Sequence, residues 1–388
     1  MQQNPRIYHK IAVEIIGKYA KAIVYASDVE EACNNQIKEI LDNEFLADEK
    51  IRIMPDCHAG NGICIGFTST LNGDWAVPNY IGVDIGCGVA SYPIDKTDVD
   101  FRKFDVQVRR SIPSGYEIHK RFDEDRCKDI YSKVAKNSFH LFVEELEELV
   151  KKLGLNFRSK NYVAQSMGTL GGGNHFIAIN ENSSGNKFIT VHTGSRNFGL
   201  KIANHFQKKV GEKGYLSGEL YDDYIYAMEL AQRYATFNRA KILWELVRHF
   251  NINFEKNNLI ESVHNYIDID NKIMRKGSIS AQKGEICLIP INMADGVLLC
   301  KGKGNPEWNY SAPHGAGRVL SRTQSKKNFS MEEYKERMNN VWSSCVNEAT
   351  LDESPMAYKK IEYLMNFIGD TVEVLDHWSE VYNFKAAE

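Results

Sequence analysis

Six short segments of this chain place aspartate, cysteine or histidine residues beside turn-forming residues, and five of the six are rich in glycine. Long stretches of ordinary composition separate them. They are MPDCHAGNG (54–62), GVDIGCGV (82–89), GTLGGGNHF (168–176), VHTGSRNFG (191–199), SVHNYID (262–268) and SAPHGAGR (311–318). Glycine lets the backbone turn sharply and lets a ligand approach it closely. The segments therefore favour a fold in which loops carry the functional groups.

Strand and helix patterns do not alternate regularly along the chain. Strands are predicted around ICIGFTSTL (63–71), KFITVHTGS (187–195) and GEICLIPIN (284–292). Helices are predicted at 139–154, at about 219–250 and at 330–345, where Ser330 is followed by Glu332 and Glu333 as at a capped start. This order disfavours a Rossmann or TIM-barrel arrangement. It predicts a complex α+β fold with a single core, in which helices flank the β-sheets.

The chain is long enough to bury a sizeable core, with 388 residues of which 43% are hydrophobic. No linker, repeat or low-complexity segment divides it. We therefore predict one domain over residues 1–388. Residues 100–161 are the most charged and helical part, and they form a candidate peripheral helical subdomain within it.

Charge and cysteine content exclude some classes of protein. The 48 Lys and Arg residues against 51 Asp and Glu residues give a net charge of −3, which is unlike a basic protein that wraps nucleic acid but allows a local basic surface. The N-terminal MQQNPRIYHK lacks the apolar run of a secretory signal, and no apolar run is long enough to span a membrane. The eight cysteines show no CxxC spacing. Reduced thiols in the cytoplasm are the simpler interpretation.

Asp84 and Cys87 lie three residues apart in a glycine-rich loop that can turn a carboxylate and a thiolate toward one point. A thiolate, a carboxylate and imidazoles together suit a divalent transition metal, and a thiolate can bridge two ions. Taken singly, Cys87 fits a small buried residue, and His192 or His264 fits a packing or surface histidine. However, five of the eleven histidines lie in these segments. Their joint occurrence favours a metal-assisted phosphoryl-transfer or hydrolytic enzyme.

His314 stands apart because small residues surround it. Pro313, Gly315, Ala316 and Gly317 leave its imidazole uncovered, whereas a packing histidine normally has bulky apolar neighbours. From the residues alone, His314 could serve as a base, a metal ligand or a nucleophile.

The six segments resemble, in the same order, the motifs of the RtcB-type RNA ligases. The resemblance covers about residues 51–322 and a matching YNFKA tail (382–386), and it is strongest to the compact bacterial branch. It implies an enzyme that uses GTP and two Mn²⁺ ions to join an RNA 2′,3′-cyclic phosphate or 3′-phosphate end to a 5′-hydroxyl end. It also implies that His314 takes GMP from GTP, and that the GMP then passes to the RNA 3′-phosphate. Both tRNA splicing and repair of cleaved RNA fit this chemistry.

The resemblance also implies which residues form the site. One ion would bind Cys87, His192 and His264, and a second would bind Asp84, Cys87 and His175, although zinc would suit these ligands as well. Asp56 would orient His314, and Arg196 is either an RNA-phosphate ligand or a structural loop anchor. The nucleotide pocket would comprise Asn174, His175, Phe176, His264, Asn265, Pro290, Ile291, Asn292, Met293, His314, Gly315, Ala316, Gly317 and Lys385.

Two positions depart from the family pattern. Ala178 stands where many members have a glutamate, and Val297 stands where many have a serine, both near the guanine base. Neither side chain can hydrogen-bond to a base. From the sequence we therefore expect weaker discrimination against ATP, with Lys385 as the main remaining base contact through the guanine carbonyl oxygen.

Two other functions compete with the ligase interpretation. A metal-dependent phosphatase or nuclease would keep the metal cluster without forming a nucleotide adduct. A non-enzymatic protein that binds RNA or stores metal would need neither His314 nor Cys87.

Overall fold

The computed structural model describes residues 12–211 and 214–386, and within them the chain forms seventeen β-strands. In chain order they are β1 (Val13–Ile16), β2 (Lys21–Val24), β3 (Ile51–His58), β4 (Ile65–Thr70), β5 (Trp75–Ala76), β6 (Gly88–Asp95), β7 (Phe176–Glu181), β8 (Lys187–Thr193), β9 (Leu216–Ser217), β10 (Ile260–Val263), β11 (Asn265–Asp268), β12 (Ile273–Lys276), β13 (Ser278–Ser280), β14 (Ile286–Asn292), β15 (Gly296–Gly302), β16 (Ser311–Pro313) and β17 (Val372–Lys385).

The same part of the chain forms eleven α-helices. They are α1 (Glu31–Leu41), α2 (Pro78–Ile81), α3 (Phe101–Ser111), α4 (Glu124–Val134), α5 (Phe139–Lys152), α6 (Tyr162–Gln165), α7 (Arg196–Gln207), α8 (Glu219–Val247), α9 (Arg322–Asn328), α10 (Met331–Arg337) and α11 (Ile361–Ile368). Short 3₁₀ segments lie at Glu44–Leu46, Arg248–Phe250, Lys256–Asn258, Pro306–Trp308, Glu348–Glu353 and Pro355–Ala357.

Two large sheets dominate the fold. One has the order β1-β2-β3-β4-β12-β11, with β2 and β3 parallel and the other neighbours antiparallel. The other has the antiparallel order β10-β6-β8-β7-β17-β15-β14. The pairs β13-β16 and β5-β9 form small two-stranded sheets. Helices flank these sheets, which confirms the predicted α+β class.

Helix α8 is the central helix, and it packs against β6 and β8 of the seven-stranded sheet. It is buried over most of its 29 residues. Ala227, Ala231, Ala235 and Ala240 are buried along it. Their small side chains let neighbouring backbone approach the helix closely.

The largest cluster of buried apolar side chains reaches from the first large sheet, through α8, into the second. Buried residues of α3, α4 and α5, including Phe104, Cys127 and Leu146, belong to this same cluster. The predicted peripheral subdomain at 100–161 therefore packs on the common core, and its status as a separate unit stays a prediction.

The predicted strands at 63–71, 187–195 and 284–292 are confirmed as β4, β8 and β14, and two predicted helices as α5 and α8. The predicted helix at 330–345 begins as expected, with Ser330 and Glu333 forming a reciprocal cap, but its predicted end is wrong. It ends at Arg337 because the backbone of Trp342 pairs with β17 through Val381 and Asn383 instead.

Within residues 12–211 and 214–386, no helix is both long enough and apolar enough to cross a membrane. All eight cysteines are buried and free.

Candidate active site

Three neighbouring strands bring three of the predicted metal ligands together. Cys87 immediately precedes β6, and His192 lies in β8 opposite Val89 of β6. His175 immediately precedes β7, whose first residue, Phe176, lies opposite His192. Because hydrogen-bonded strands lie only about 4.8 Å apart, these three side chains converge at one end of the sheet.

Arg239 of α8 fixes the loops that carry these ligands. Its buried guanidinium donates hydrogen bonds to the carbonyl oxygens of Gly86 and Thr193, both at 2.7 Å, and pairs with Glu261 at 2.7 Å. A β-carbon at Gly86 would lie 3.0 Å from the Cα of Gln232. The residue next to Cys87 is therefore a glycine because its backbone rests directly on the helix.

The first ligand group consists of Cys87, His192 and His264, all buried. The Cys87 Sγ lies 3.3 Å from His192 Nε2. The backbone amide of His264 donates to the Cys87 carbonyl at 2.9 Å, which holds the third ligand against the first. The three ligand atoms all lie within 4.8 Å of one another.

The second ligand group consists of Asp84, Cys87 and His175, so the two groups share Cys87. His175 Nε2 lies 2.9 Å from Asp84 Oδ2 and 3.5 Å from Cys87 Sγ. Its other ring nitrogen, Nδ1, lies 2.9 Å from the carbonyl oxygen of Leu170. An Nδ1–H that donates to this carbonyl leaves Nε2 with a lone pair facing the carboxylate. The contact is favourable with a proton on Nε2, as in an ion pair, or with a metal ion between the two atoms in place of that proton.

Burial sets the charge of these groups in the absence of an ion. It holds the pKa of His192 and of His264 well below the usual range, so both imidazoles stay neutral and keep a lone pair for a metal. Burial and the nearby Asp84 raise the pKa of the Cys87 thiol. Burial opposes ionisation of Asp84, but His175, Cys87 and Arg196 lower its pKa to about 2. One thiol, one carboxylate and three imidazoles fit a pair of transition-metal ions.

His314, at the end of β16, pairs with Asp56 of β3. The wholly buried Asp56 Oδ2 lies 2.7 Å from His314 Nδ1 and also accepts the His314 backbone N–H at 3.2 Å. The centroid of the His314 ring lies 4.8 Å from that of His264. The predicted nucleophile is therefore fixed at one ring nitrogen and lies beside a histidine of the first ligand group.

Gly317 explains part of the glycine content around His314. Its φ is +75°, and a β-carbon there would lie 2.1 Å from the carbonyl oxygen of Asp56. Only glycine fits this close approach, so the HGAG turn is built against the strand that supplies Asp56.

His58, two residues after Asp56, lines the cavity described below together with His314, and burial lowers its pKa to about 4.

A cavity of about 520 Å³ opens over the two ligand groups, and its volume is within the usual range for a small-molecule site. All the predicted nucleotide-pocket residues except His175, which lies in the metal cluster, line it. They are Asn174, Phe176, His264, Asn265, Pro290, Ile291, Asn292, Met293, His314, Gly315, Ala316, Gly317 and Lys385. The structure thus brings the predicted metal ligands, nucleophile and nucleotide pocket into one place.

Comparison with known protein families decides the affiliation. The model of the tRNA-splicing ligase RtcB family matches residues 36–386. The chain belongs to the RtcB family. An RNA-splicing ligase RtcB of Escherichia coli K12 is 33% identical over 364 residues, covering 84% of this chain and 87% of that protein. The tRNA-splicing ligases RtcB of Pyrobaculum aerophilum and Nanoarchaeum equitans are 24% and 26% identical, each covering 80% of this chain and 82% of its own.

Membership of the RtcB family makes this chain an enzyme of the RNA-ligase class. It confirms the resemblance inferred from the six segments. It favours the ligase interpretation over the phosphatase and over the non-enzymatic binding protein.

Lys385 of β17 lies inside the RtcB cavity, but it has a partner that the sequence did not reveal. Its Nζ lies 2.6 Å from Glu353 Oε2 and donates to the carbonyl oxygen of Asn174 at 3.4 Å. Glu353 also pairs with Arg318 and Arg322, at 3.0 and 2.9 Å. Burial opposes ionisation of Glu353, but these three cations lower its pKa to about 2.

The two positions where the sequence analysis expects departures from the RtcB pattern occupy neighbouring parts of the seven-stranded sheet. Val297 of β15 lines the cavity, and Ala178 of β7 is fully buried. Ala178 lies opposite Asn383 of β17. Asn383 and Glu380, which also line the cavity, are polar groups that sequence reasoning missed. They lie in an ordinary strand without glycine, where only the pairing with β7 reveals their position.

Arg196, at the start of α7, makes its contacts with protein groups. Its Nε donates to Thr169 Oγ1 at 3.2 Å and its Nη2 to the carbonyl oxygen of Gly115 at 3.0 Å. A β-carbon at Gly171 would lie 1.8 Å from its Nη1, so the guanidinium is packed on that backbone. These contacts favour the loop-anchor interpretation of Arg196 over the RNA-phosphate ligand.

Proposed function

We propose that this chain is a GTP- and manganese-dependent RNA ligase that joins a 2′,3′-cyclic phosphate or 3′-phosphate end to a 5′-hydroxyl end. The observation that carries the proposal is the 2.7 Å pairing of His314 Nδ1 with Asp56 beside the metal cluster. A buried carboxylate on one ring nitrogen prepares the other nitrogen, Nε2, as a nucleophile.

The first step transfers GMP to His314. With Nδ1–H donated to Asp56, Nε2 attacks the α-phosphorus of GTP. A nitrogen–phosphorus bond forms, the bond from the α-phosphorus to the bridging oxygen breaks, and pyrophosphate leaves. The positive charge that develops on the ring is balanced by the Asp56 carboxylate, which has no access to solvent.

In the later steps the GMP activates the RNA. A 3′-phosphate oxygen attacks the phosphorus on His314, the phosphorus–nitrogen bond breaks, and an RNA-3′-pp-5′-G end forms. The 5′-hydroxyl oxygen then attacks the RNA 3′-phosphorus, the bond from that phosphorus to the oxygen it shares with GMP breaks, GMP leaves, and the hydroxyl proton passes to solvent. A 2′,3′-cyclic end must first be opened by water to a 3′-phosphate.

The two ligand groups support the use of two metal ions in these steps. Asp84, Cys87 and His175 would hold one ion, and Cys87, His192 and His264 the other. Bound ions would neutralise phosphate charge and align the attacking and leaving groups. The choice of manganese rests on the family resemblance, since zinc also suits a thiolate and imidazoles.

Adduct formation separates this proposal from a phosphatase or nuclease. The protein is incubated with α-labelled GTP and Mn²⁺ and run on a denaturing gel. We expect acid-labile label on the wild-type protein and none on His314→Ala. His140→Ala is the matched control because His140 is an exposed residue of α5. Label retained on His314→Ala would refute the nucleophile, and an unlabelled wild type that still removes 3′-phosphates would support the phosphatase.

A further inference from the structure

A buried polar cluster of Asn180, Glu380 and Asn383 lies against the cavity at the β7–β17 strand pair. Asn180 Nδ2 donates to Glu380 Oε2 at 2.5 Å, and Asn383 Nδ2 donates to Glu380 Oε1 at 2.7 Å. All three side chains are at least 95% buried. Glu380 and Asn383 line the cavity, and Asn180 supports Glu380 from β7.

A strand irregularity puts Glu380 and Asn383 on the same face of β17. Residues three apart on a regular strand point to opposite faces. Here the register shifts between Glu380 and Tyr382, because Glu380 lies opposite Asn180 whereas Tyr382 lies opposite Ile179. The extra residue in β17 is a β-bulge, and it turns both polar side chains toward the same side as Lys385. Both polar side chains therefore lie on the face of the sheet beside Ala178, which pairs with Asn383.

The cluster has more acceptors than donors. The side-chain Oδ1 atoms of Asn180 and Asn383 are both buried without a hydrogen-bond partner. Each oxygen of the Glu380 carboxylate accepts one amide hydrogen bond and has room for another. A buried oxygen without a partner is rare in folded proteins and demands an explanation. A ligand with two adjacent N–H donors would satisfy Glu380 and Asn383 together.

We propose that Glu380 and Asn383 bind the N1–H and 2-amino groups of guanine, and so select GTP in place of the polar residues absent at Ala178 and Val297. The inference rests on the proposed function for the identity of its ligand class. Lys385, two residues after Asn383 on the same face, lies beside them as a donor for the guanine carbonyl oxygen. Phe176, whose ring centroid is 5.7 Å from Lys385 Nζ, gives the base an aromatic neighbour.

Adenine is the wrong partner for this set of groups. Its N1 is an acceptor and would face the Glu380 carboxylate, and it has no 2-amino group. Burial raises the pKa of Glu380 to about 8, and two N–H donors from guanine would lower it again because they bind the ionised form. The protonated carboxyl could donate to adenine N1, so discrimination against adenine is strongest above pH 8, where Glu380 is ionised without a ligand. This arrangement reverses the sequence-based expectation for Ala178 and Val297, and we expect strong discrimination against ATP.

The test compares bases and variants in one design. Adduct formation is measured with GTP, ITP and ATP at matched Mn²⁺ for wild type, Glu380→Gln and the control Glu373→Gln, an exposed glutamate of the same strand. ITP keeps N1–H and the carbonyl oxygen but lacks the 2-amino group. We expect wild type and control to prefer GTP over ATP by about 100-fold or more, with ITP in between. Glu380→Gln should lower the GTP-to-ATP ratio at least about tenfold, and Asn383→Ala should narrow the difference between GTP and ITP.

Unchanged ratios in Glu380→Gln, or equal use of GTP and ATP by the wild type, would overturn the inference. Calorimetric binding of GMP, IMP and AMP to the same proteins does not depend on adduct formation. If no adduct forms but the protein prefers GMP and this preference depends on Glu380, the proposed function is wrong and the inferred base site is retained. Asn383→Ala, checked by its thermal midpoint, gives a second variant should Glu380→Gln fold poorly.

Discussion

Asp56 Oδ2 lies 2.7 Å from His314 Nδ1 and also accepts the backbone N–H of His314 at 3.2 Å. One carboxylate oxygen therefore fixes both the position of the residue and the tautomer of its ring. Because Asp56 occupies Nδ1, the second nitrogen is the one left for chemistry.

Replacing Asp56 with asparagine tests this control of the tautomer. The amide keeps the shape but offers a donor or a weaker acceptor to Nδ1, so the wrong ring nitrogen becomes protonated. We expect the single-turnover rate of adduct formation to fall by about 100-fold or more, with metal content unchanged. Asp270→Asn, at an exposed turn, is the control. A wild-type rate in Asp56→Asn would contradict the positioning role.

Replacing Cys87 with serine should remove metal and activity together. Cys87 is the residue common to both ligand groups, and a hydroxyl is a poorer ligand for a transition metal than a thiolate. Elemental analysis of the purified protein measures the loss directly. Cys127→Ser places the same substitution at a buried thiol of α4, away from the cluster, and should leave metal content unchanged. Normal metal content in Cys87→Ser would favour a purely structural Cys87.

The low pKa of Glu353 predicts that the free energy of unfolding falls in acid. Its folded pKa of about 2 lies below its ordinary value of 4.5, so it stabilises the fold fully above pH 4.5. That contribution, on the order of 3 kcal/mol, is lost as the pH falls from 4.5 toward 2. In urea unfolding, the free energy of unfolding should fall less between pH 5.5 and pH 3.5 for Glu353→Gln than for wild type. Exposed Glu373→Gln should lose as much as wild type, and identical losses in all three proteins would refute the assignment.

Gly317→Ala separates a steric clash from backbone strain. Gly317 and Gly185 both have positive φ, at +75° and +79°, but a β-carbon at Gly185 meets nothing within 4 Å. We expect Gly185→Ala to lower the free energy of unfolding by about 1 kcal/mol through strain alone. Gly317→Ala should cost at least about 2 kcal/mol more and disturb Asp56, so adduct formation should fall as well. If both variants lose the same free energy of unfolding, the contact between the new β-carbon at residue 317 and Asp56 adds no cost beyond backbone strain.

The metal ligands could be proposed from the sequence because each lies in a short segment with unusual composition. Asp84, Cys87 and His175 stand beside glycines, and their grouping follows from the family's motif order. Glu353 and Glu380 could not be found in this way. Glu353 acquires its role from cations that are distant in the chain, and Glu380 faces the cavity because of a bulge in β17 that no local pattern announces.

Secondary structure shows the same division between local and distant causes. The start of α10 follows from Ser330 and Glu333, which lie within one turn of each other. Its end is set by Trp342, whose backbone forms hydrogen bonds with β17, a strand that is distant in the chain. Arg196 is a further case, because its partners Thr169 and Gly115, which favour one of the two roles that the motif allowed, lie far from it in the chain.

The hydrogen bonds from Arg239 to the carbonyl oxygens of Gly86 and Thr193 bear on how metal ions enter and leave. A central helix, and not the ions themselves, clamps the two loops on either side of the ligands. The empty and loaded loops should then share one shape, so that ions exchange without local unfolding. Little conformational entropy would then be lost on metal binding, and the two ligand groups could each take up an ion without waiting for the other.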